Sequence, residues 1–381
     1  MMARLGDIVS ISASIQKLDG NQFWLLNLDM VEQQTGNVIS YKYVSSDKLD
    51  GSIIQFDTKN VLYSKLRPNL NKVVVPYKPG FATSEMLPLK PDTNVLTREY
   101  LAAYLRSSSF VEWAVSKTAG AKMPRLGIKE LLNKDMPVPT LKEQEHITKI
   151  LKKIDSLISL RKQQVAKLDE LVKARFVEMF GDPVQNPFGW TTKPLLEMGY
   201  CKNGMNFHTG DSGIEMHCLG VGDFKDYSVI DGTDYLPTVS LNEVPPEESM
   251  LQDGDIVFVR SNGNKALVGR CLVVYPRNTP TTYSGFCIRY RLTSGEVNTI
   301  YLLRVLKTDS MRKKMAGRGA NIQNLNQQIL ATLNIPTPPL ELQEQFSAVV
   351  EQTNKSKLVI QQSLDRLEVL KKSLMQEYFM G

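Results

Sequence analysis

One long, charged segment occurs twice in this chain of 381 residues, at a fixed offset that sets Leu168 against Leu367 and Lys173 against Lys372. Each copy starts from a proline cluster. Pro137-Val138-Pro139-Thr140-Leu141 leads to Gln144-Glu145, and Pro336-Thr337-Pro338-Pro339-Leu340 leads to Gln343-Glu344. The copies end alike, at Phe180-Gly181 and at Phe379-Met380-Gly381, and Leu171/Leu370 and Glu178/Glu377 keep the register between. Any fold must therefore accommodate two copies of one rod, each behind a globular stretch, and the two stretches look dissimilar. Such a duplication suits a spacer that holds two readers apart.

The rods read as helices. Thr140 followed by Glu143 is a capping box, in which hydroxyl and carboxylate satisfy each other's backbone N–H. Apolar or long side chains follow at Ile147, Leu151, Ile154, Ile158, Arg161, Val165, Leu168, Val172, Arg175 and Met179. Their steps of four and three make a heptad seam interrupted at two arginines. The second rod repeats the seam at Phe346, Val350, Thr353, Lys357, Ile360, Leu364, Leu367, Lys371, Leu374 and Tyr378. Gly181 and then Asp182-Pro183 stop the first helix. About 40 residues at 1.5 Å each give a length of roughly 60 Å. An exposed helix of that length with one apolar stripe needs a partner. Packing the rods antiparallel within one chain, with one globular domain at each end, is the expected solution; parallel packing, with both domains at one end, and an intermolecular coiled coil stay open.

The fold class expected is α+β: two mixed α/β domains separated by two long helices packed as an antiparallel coiled coil. The domain divisions expected are 1–140, 141–182, 183–340 and 341–381. Val61-Leu62-Tyr63 and Val73-Val74-Val75 read as strands around the turn Arg67-Pro68-Asn69. Tyr100 to Val115 has helical spacing. In the second domain, strands are expected at Asp255–Val259, Arg270–Tyr275 and Phe286–Arg291, and a basic helix at Tyr301–Met315.

The formal charge of +6 decides little, but its distribution is informative. Residues 58 to 84 hold Lys59, Lys65, Arg67, Lys72 and Lys78 and no acid. Residues 256 to 291 hold Arg260, Lys265, Arg270, Arg277, Arg289 and Arg291, again with no acid. One single-sign block in each half suits nucleic-acid phosphates. Within the first block, Tyr63, Lys65, Arg67, Asn69, Asn71 and Lys72 combine phosphate-seeking lysines with the Arg and Asn side chains that read base edges. Arg260, Asn262, Asn264, Lys265 and Arg270 form the counterpart. A segment before each rod, with Lys122 and Arg125 in one and Arg318 near the other, is a further candidate for backbone phosphates. Solvated hairpin tips are the plain alternative for the two loops, and a joint between domain and rod is the alternative for the two segments.

Catalytic patterns are sparse. No G-x-x-x-x-G-K-[ST] phosphate loop occurs. Gly220-Val221-Gly222 lacks its third glycine, with Lys225 in that place, and Asn186-Pro187-Phe188 is a connector lacking the second proline of a methyltransferase motif. Cys201, His208, His217 and Cys218 match no zinc spacing. The four cysteines fit a reducing compartment. No run of about 18 apolar residues is present, so neither a membrane span nor membrane binding is expected. The start lacks an apolar signal core, and the expected location is cytoplasmic.

With these residues in view, the chain resembles the specificity subunits of type I restriction-modification enzymes over its whole length. The most specific element is the start of the rod, approximately P-P-L-x-E-Q-x-x-I in that family. Pro139-Thr140-Leu141-Lys142-Glu143-Gln144-Glu145-His146-Ile147 follows it closely, and Pro338-Pro339-Leu340-Glu341-Leu342-Gln343-Glu344-Gln345-Phe346 follows it with Leu342 in place of Glu. Phe180-Gly181-Asp182-Pro183, Asn186-Pro187-Phe188-Gly189-Trp190 and the loop from Leu66 to Lys72 are similar too. The resemblance implies two target-recognition domains, each reading one half of a bipartite site in double-stranded DNA, with helices that set the gap. It implies a non-catalytic chain that binds no cofactor itself. Its partners are two methyltransferase subunits using S-adenosylmethionine, and restriction subunits using ATP and Mg. Alternatives stay open: the specificity subunit of a fused nuclease-methyltransferase, a free-standing DNA-binding regulator dimerising through its helices, or an enzyme in its own right.

Overall fold

Thr140 begins a helix that runs unbroken from Leu141 to Phe180, and Leu340–Met380 is its second copy. The computed structural model describes all residues except 15–17, 19–20, 46–52, 121, 208–209, 225–227, 317–323 and 381, and for Met380 the backbone only. The expected capping box is reciprocal. The Glu143 N–H donates to Thr140 Oγ1 at 3.3 Å, and the Thr140 N–H donates to Glu143 Oε2 at 2.8 Å. Gly181 ends the helix at φ +73°, where a Cβ would strike the Pro187 ring, so only glycine fits there.

The chain divides into two compact units, residues 1–164 with 360–381 and residues 165–359. Each unit therefore owns the start of one long helix and the end of the other. Within the first unit, Asp155 pairs with Lys371 at 2.6 Å and Lys162 with Glu368 at 3.4 Å. Partner numbers fall as the first helix advances, so the helices are antiparallel. Within the second unit, Asp169 pairs with Lys357, and Phe180 meets Phe346 with ring centroids 5.7 Å apart, again antiparallel. Every seam position named from the sequence is buried or half-buried. The seam is covered within one chain, which answers the question of an intermolecular coiled coil.

The first unit holds a four-stranded antiparallel sheet in the order Val9–Ile11, Met86–Pro91, Val61–Ser64, Val73–Val74. A second sheet is ordered Lys42–Ser45, Gln22–Leu26, Gly80–Thr83, Ile53–Phe56, its middle pair parallel. Met2–Arg4 pairs with Asp135–Pro137 and ties the start of the unit to the approach of the long helix. The second unit is ordered Gly199–Asn203, Cys287–Leu292, Asp255–Val259, Cys271–Tyr275, Val229–Asp231, with a three-stranded sheet of Thr238–Leu241, Ile214–Leu219 and Thr281–Tyr283. Thr192–Pro194 pairs with Asn334–Pro336 as its counterpart tie.

The two globular stretches, dissimilar in sequence, thus share the order of four main-sheet strands, to which the second unit adds Val229–Asp231 at the edge. The registers make the match residue by residue: Ser64 faces Met86 as Val259 faces Cys287, and Tyr63 faces Val73 as Phe258 faces Cys271. Helices expected as single spans are each broken in two. Arg98–Leu105 and Ser108–Ser116 are separated because Ser107 Oγ accepts the Phe110 N–H and restarts the helix. Thr308 Oγ1 accepts the Met311 N–H between Thr299–Leu306 and Asp309–Ala316. Among the described residues, no helix is long and apolar enough to cross a membrane.

Two buried glutamines lock the rods to the sheets. Gln144 donates to the carbonyls of Val95 and Pro139 at 2.8 and 2.9 Å and accepts from the Thr97 N–H at 2.9 Å. Gln343 repeats the pattern with Glu296, Pro338 and Asn298 at 3.1, 2.8 and 2.8 Å. Thr97 and Asn298 are themselves helix N-caps, so each glutamine joins a long helix to the first helix that covers its sheet.

Candidate nucleic-acid interface

In each unit, two neighbouring strands of the main sheet are joined by a basic hairpin loop. Residues 65–72 join Val61–Ser64 to Val73–Val74, and residues 260–270 join Asp255–Val259 to Cys271–Tyr275. Equivalent backbone bonds fix both roots. The Ser64 N–H reaches the Lys72 carbonyl at 3.1 Å, and the Val259 N–H reaches that of Arg270 at 2.9 Å. The Lys65 carbonyl accepts from Leu126 N–H at 2.9 Å, and that of Arg260 from Leu325 N–H at 2.8 Å. By these bonds Lys65 corresponds to Arg260 and Lys72 to Arg270.

The first loop is a turn of Pro68–Leu70 flanked by Arg67 and Asn71, both in left-handed backbone at φ 50°. Asn71 is suited to that conformation, and its buried amide donates to Gln34 Oε1 at 3.2 Å and the Arg106 carbonyl at 3.1 Å. Arg67 is less suited. Its N–H is held by the Pro124 carbonyl at 2.8 Å, and the backbone cost is on the order of 1 kcal/mol. That strain leaves an exposed guanidinium with no hydrogen bond or ion pair among the described residues. Asn69 is also exposed. Lys72 donates to the Leu28 carbonyl at 2.5 Å.

Tyr63 and Asn71 are corrections to the sequence reading. Tyr63 is 2 % exposed and packs edge-on to Phe110 at 5.8 Å, because its place in the strand points it inward. Burial holds its phenol well above the usual range. Asn71 is used by the turn itself. Neither presents a group to a base edge.

The acid-free blocks are less free of acids in space than in sequence. Glu85 stands one residue beyond the first block, between two cations. Arg125 donates to it through Nε at 3.1 Å and Nη2 at 2.9 Å, and Lys65 stands 4.0 Å away. The carboxylate holds the Arg125 guanidinium above its usual value. Lys78 lies 4.8–5.4 Å from the ring centroids of Trp24, Tyr41, Tyr43 and Tyr77. In the second block, Arg277 is held by Asp231 and Asp253, Arg291 by Asp255, and Arg289 is fully buried. The block's remaining surface charge is carried by Arg260, Lys265 and Arg270.

The second loop uses its asparagines as struts. Asn262 Oδ1 accepts the Asn264 N–H at 2.7 Å, and Asn264 Oδ1 accepts the Ala266 N–H at 3.1 Å. Their amide NH2 groups stay available as donors. Arg260 Nη1 reaches the Gly285 carbonyl at 3.4 Å. Lys265 is exposed and Arg270 half-buried, and Lys122 is exposed on the first unit. Arg312, one of the basic residues ahead of the second rod, donates to the Ala266 and Val268 carbonyls at 3.3 and 3.4 Å and braces the loop. Arg318, His208 and Lys225, with most of the segment before the second rod, lie outside the described residues.

No trio of His, Cys, Asp or Glu able to hold a metal occurs among the described residues. His217 Nδ1 is bonded to the Leu236 carbonyl at 2.8 Å. Burial pushes the thiols of Cys201 and Cys218 up to about 12 and that of Cys271 to about 11, which keeps them protonated at neutral pH.

Comparison with known proteins agrees with this architecture. A family model described as type I restriction modification DNA specificity domain matches residues 4–170 and 225–369. The type I restriction enzyme StySPI specificity subunit of Salmonella potsdam is 22% identical over 384 residues, spanning 90% of this chain and 81% of that protein. The MjaVIII specificity subunit of Methanocaldococcus jannaschii is 23% identical over 320 residues, spanning 78% and 73%. Two solved structures share the fold. The S subunit of the type I restriction-modification system of M. genitalium matches with a TM-score of 0.57 at 13% identity, over 100% of this chain and 96% of that one. A chain from a type I R-M system, solved for its complex assembly and conformational transition, matches at 0.63 and 15% identity, over 99% and 97%.

Proposed function

This chain belongs to the type I restriction modification DNA specificity family and recognises DNA sequence, and from that premise we propose how it divides the work. Each unit reads one half of a bipartite, asymmetric site in double-stranded DNA. The observation that carries this is the repeat of one strand order and one basic hairpin loop in two units whose exposed loop residues differ. Two copies of one reader with different chemistry suit two different half-sites.

Lys65, Arg67, Asn69, Lys122 and Arg125 would face one half, and Arg260, Asn262, Asn264, Lys265 and Arg270 the other. The lysines supply affinity through phosphates and make it fall with salt. Arg67 and the asparagine amides supply base-edge contacts. The two long helices set the number of unspecified base pairs between halves.

The chain itself is non-catalytic in this reading. Methyl transfer from S-adenosylmethionine belongs to two methyltransferase subunits, and ATP- and Mg-dependent cleavage to restriction subunits. Exposed apolar residues at repeated positions support two equal partners: Leu160 and Val359, and Leu171 and Leu370, are 47–66% exposed on the long helices. A duplicated apolar surface is what a pair of identical subunits would cover. The reading of a regulator that dimerises through its helices loses its basis, since the seam is already filled.

The test is selection from a randomised duplex library by the full chain with its methyltransferase partners. The expected result is two fixed half-sites with a constant gap; one contiguous motif would refute it. Inserting four residues into each long helix, about 6 Å, should lengthen the gap by one or two base pairs.

A further inference from the structure

The registers that match the two units also align three exposed or half-buried positions beside the hairpin loops. Ser64 faces Met86 as Val259 faces Cys287, so the residues one step outward, Lys65 and Glu85, correspond to Arg260 and Phe286. The backbone agrees: the Lys65 N–H donates to the Glu85 carbonyl at 3.0 Å, and the Arg260 N–H donates to that of Phe286 at 2.7 Å. Arg125 precedes Leu126 as Asn324 precedes Leu325, the two leucines that donate to Lys65 and Arg260. One place in the scaffold thus carries Lys, Glu and Arg in the first unit and Arg, Phe and Asn in the second.

The middle position is the informative one. A carboxylate and a phenyl ring cannot do one structural job. Glu85 sits on a face otherwise rich in cations, where phosphates would repel it unless its charge were offset. Arg125 and Lys65 provide that offset. Phe286 is 61% exposed and joins none of the buried apolar clusters. Its N–H is tied to Ser284 Oγ at 3.3 Å, which fixes the turn that presents the ring. An acid that costs affinity and a ring that costs solubility are both explained if each meets a base.

We infer that Glu85 and Phe286 are specificity-determining residues at equivalent places in the two half-sites. Glu85 accepts a hydrogen bond from the N4 amino group of a cytosine in the major groove, and Phe286 packs on the C5-methyl group of a thymine. The inference rests on the proposed division into two readers and deepens it by naming the groups read.

The experiment uses the full chain with its methyltransferase partners and a randomised DNA duplex library, sequenced after capture. Glu85→Gln keeps an acceptor for Arg125 and adds a donor. It should shift one position in one half-site from cytosine to adenine, by about tenfold. Phe286→Ala should lose thymine preference at one position in the other half, by about fivefold, and Phe286→Leu should retain it. Melting temperatures equal to that of the unmodified chain confirm folding. If the unmodified chain selects a bipartite site and the variants select the same one, the inference fails and the two-reader proposal stands. If the variants weaken capture of all sequences evenly, the residues only position the loops and the inference also fails. If the unmodified chain selects no sequence, both fall.

Discussion

Beside its hairpin loop the first unit presents a carboxylate clamped between an arginine and a lysine; at the corresponding place the second unit presents a bare phenyl ring. A few residues away, inside, the units agree. Gln144 and Gln343 make the same three hydrogen bonds, and Tyr100 and Tyr301 donate to the carbonyls of Pro137 and Pro336 at 3.1 and 3.0 Å. Buried polar groups cannot vary without leaving partners unsatisfied, whereas exposed ones are restrained only by what they meet. The difference between the units is therefore a map of where the scaffold stops and recognition starts.

The cores test that distinction most severely. Phe346 in the second unit occupies the place of Ile147 in the first, among Phe176, Phe180 and Tyr301. Phe346→Ala should cost about 4 kcal/mol and Ile147→Ala about 3 kcal/mol, each read as a lowered denaturant midpoint in its own unit. Next come the glutamines. Gln144→Ala and Gln343→Ala should each cost about 2 kcal/mol, because each leaves a buried N–H and two carbonyls unpaired. Equal losses would support the matched interiors; a neutral effect in one unit would break the comparison.

At the surface the two units should separate. Arg67→Ala should weaken discrimination in one half-site by about 1–3 kcal/mol and leave the other untouched, measured by competition between point-substituted duplexes. Lys265→Ala should lower affinity evenly across sequences and reduce the salt slope by about 1. The smallest effect concerns the helix starts. The Thr140 hydroxyl and then its N–H hold the Glu143 carboxyl below its ordinary 4.5. A lowered folded value means that the cap contributes above the unfolded pKa and is lost as pH falls through the folded one. Hydrogen-exchange protection factors, taken relative to the intrinsic rate at each pH, should therefore fall at the start of the first long helix in acid below about pH 4.5. Glu143→Gln should abolish that dependence, and the second helix, with Leu342 in the same place, should show none from this cause.

Much of the architecture was legible beforehand. The seams, the capping box and the stop at Gly181 are local or periodic signals, and local signals survive the passage to three dimensions. The strands around the first loop were legible from their β-branched runs. The helix breaks at Ser107 and Thr308 were not, because a hydroxyl inside a helical pattern declares itself a cap only when the chain turns there. Glu85 had one visible signal, as the acid that ends a cation-only block. Phe286 had none, since an aromatic at the start of a strand reads as core. Tyr63 and Asn71 were misplaced for the converse reason: residue types fit for DNA are also fit for packing and turns.

The duplication, the long helices and the need of each apolar stripe for a partner were determined by the sequence alone, because a periodic stripe can be buried in few ways; that the partner is the other helix of the same chain, antiparallel, was decided by the tertiary structure. The shared strand order of two unlike stretches, the equivalence of Lys65 with Arg260, and the spending of Arg277, Arg289 and Arg291 on internal contacts were decided only by the tertiary structure. Strand pairing joins residues far apart in the chain, and whether a charge faces water, a carboxylate or a core depends on those distant neighbours rather than on adjacent ones.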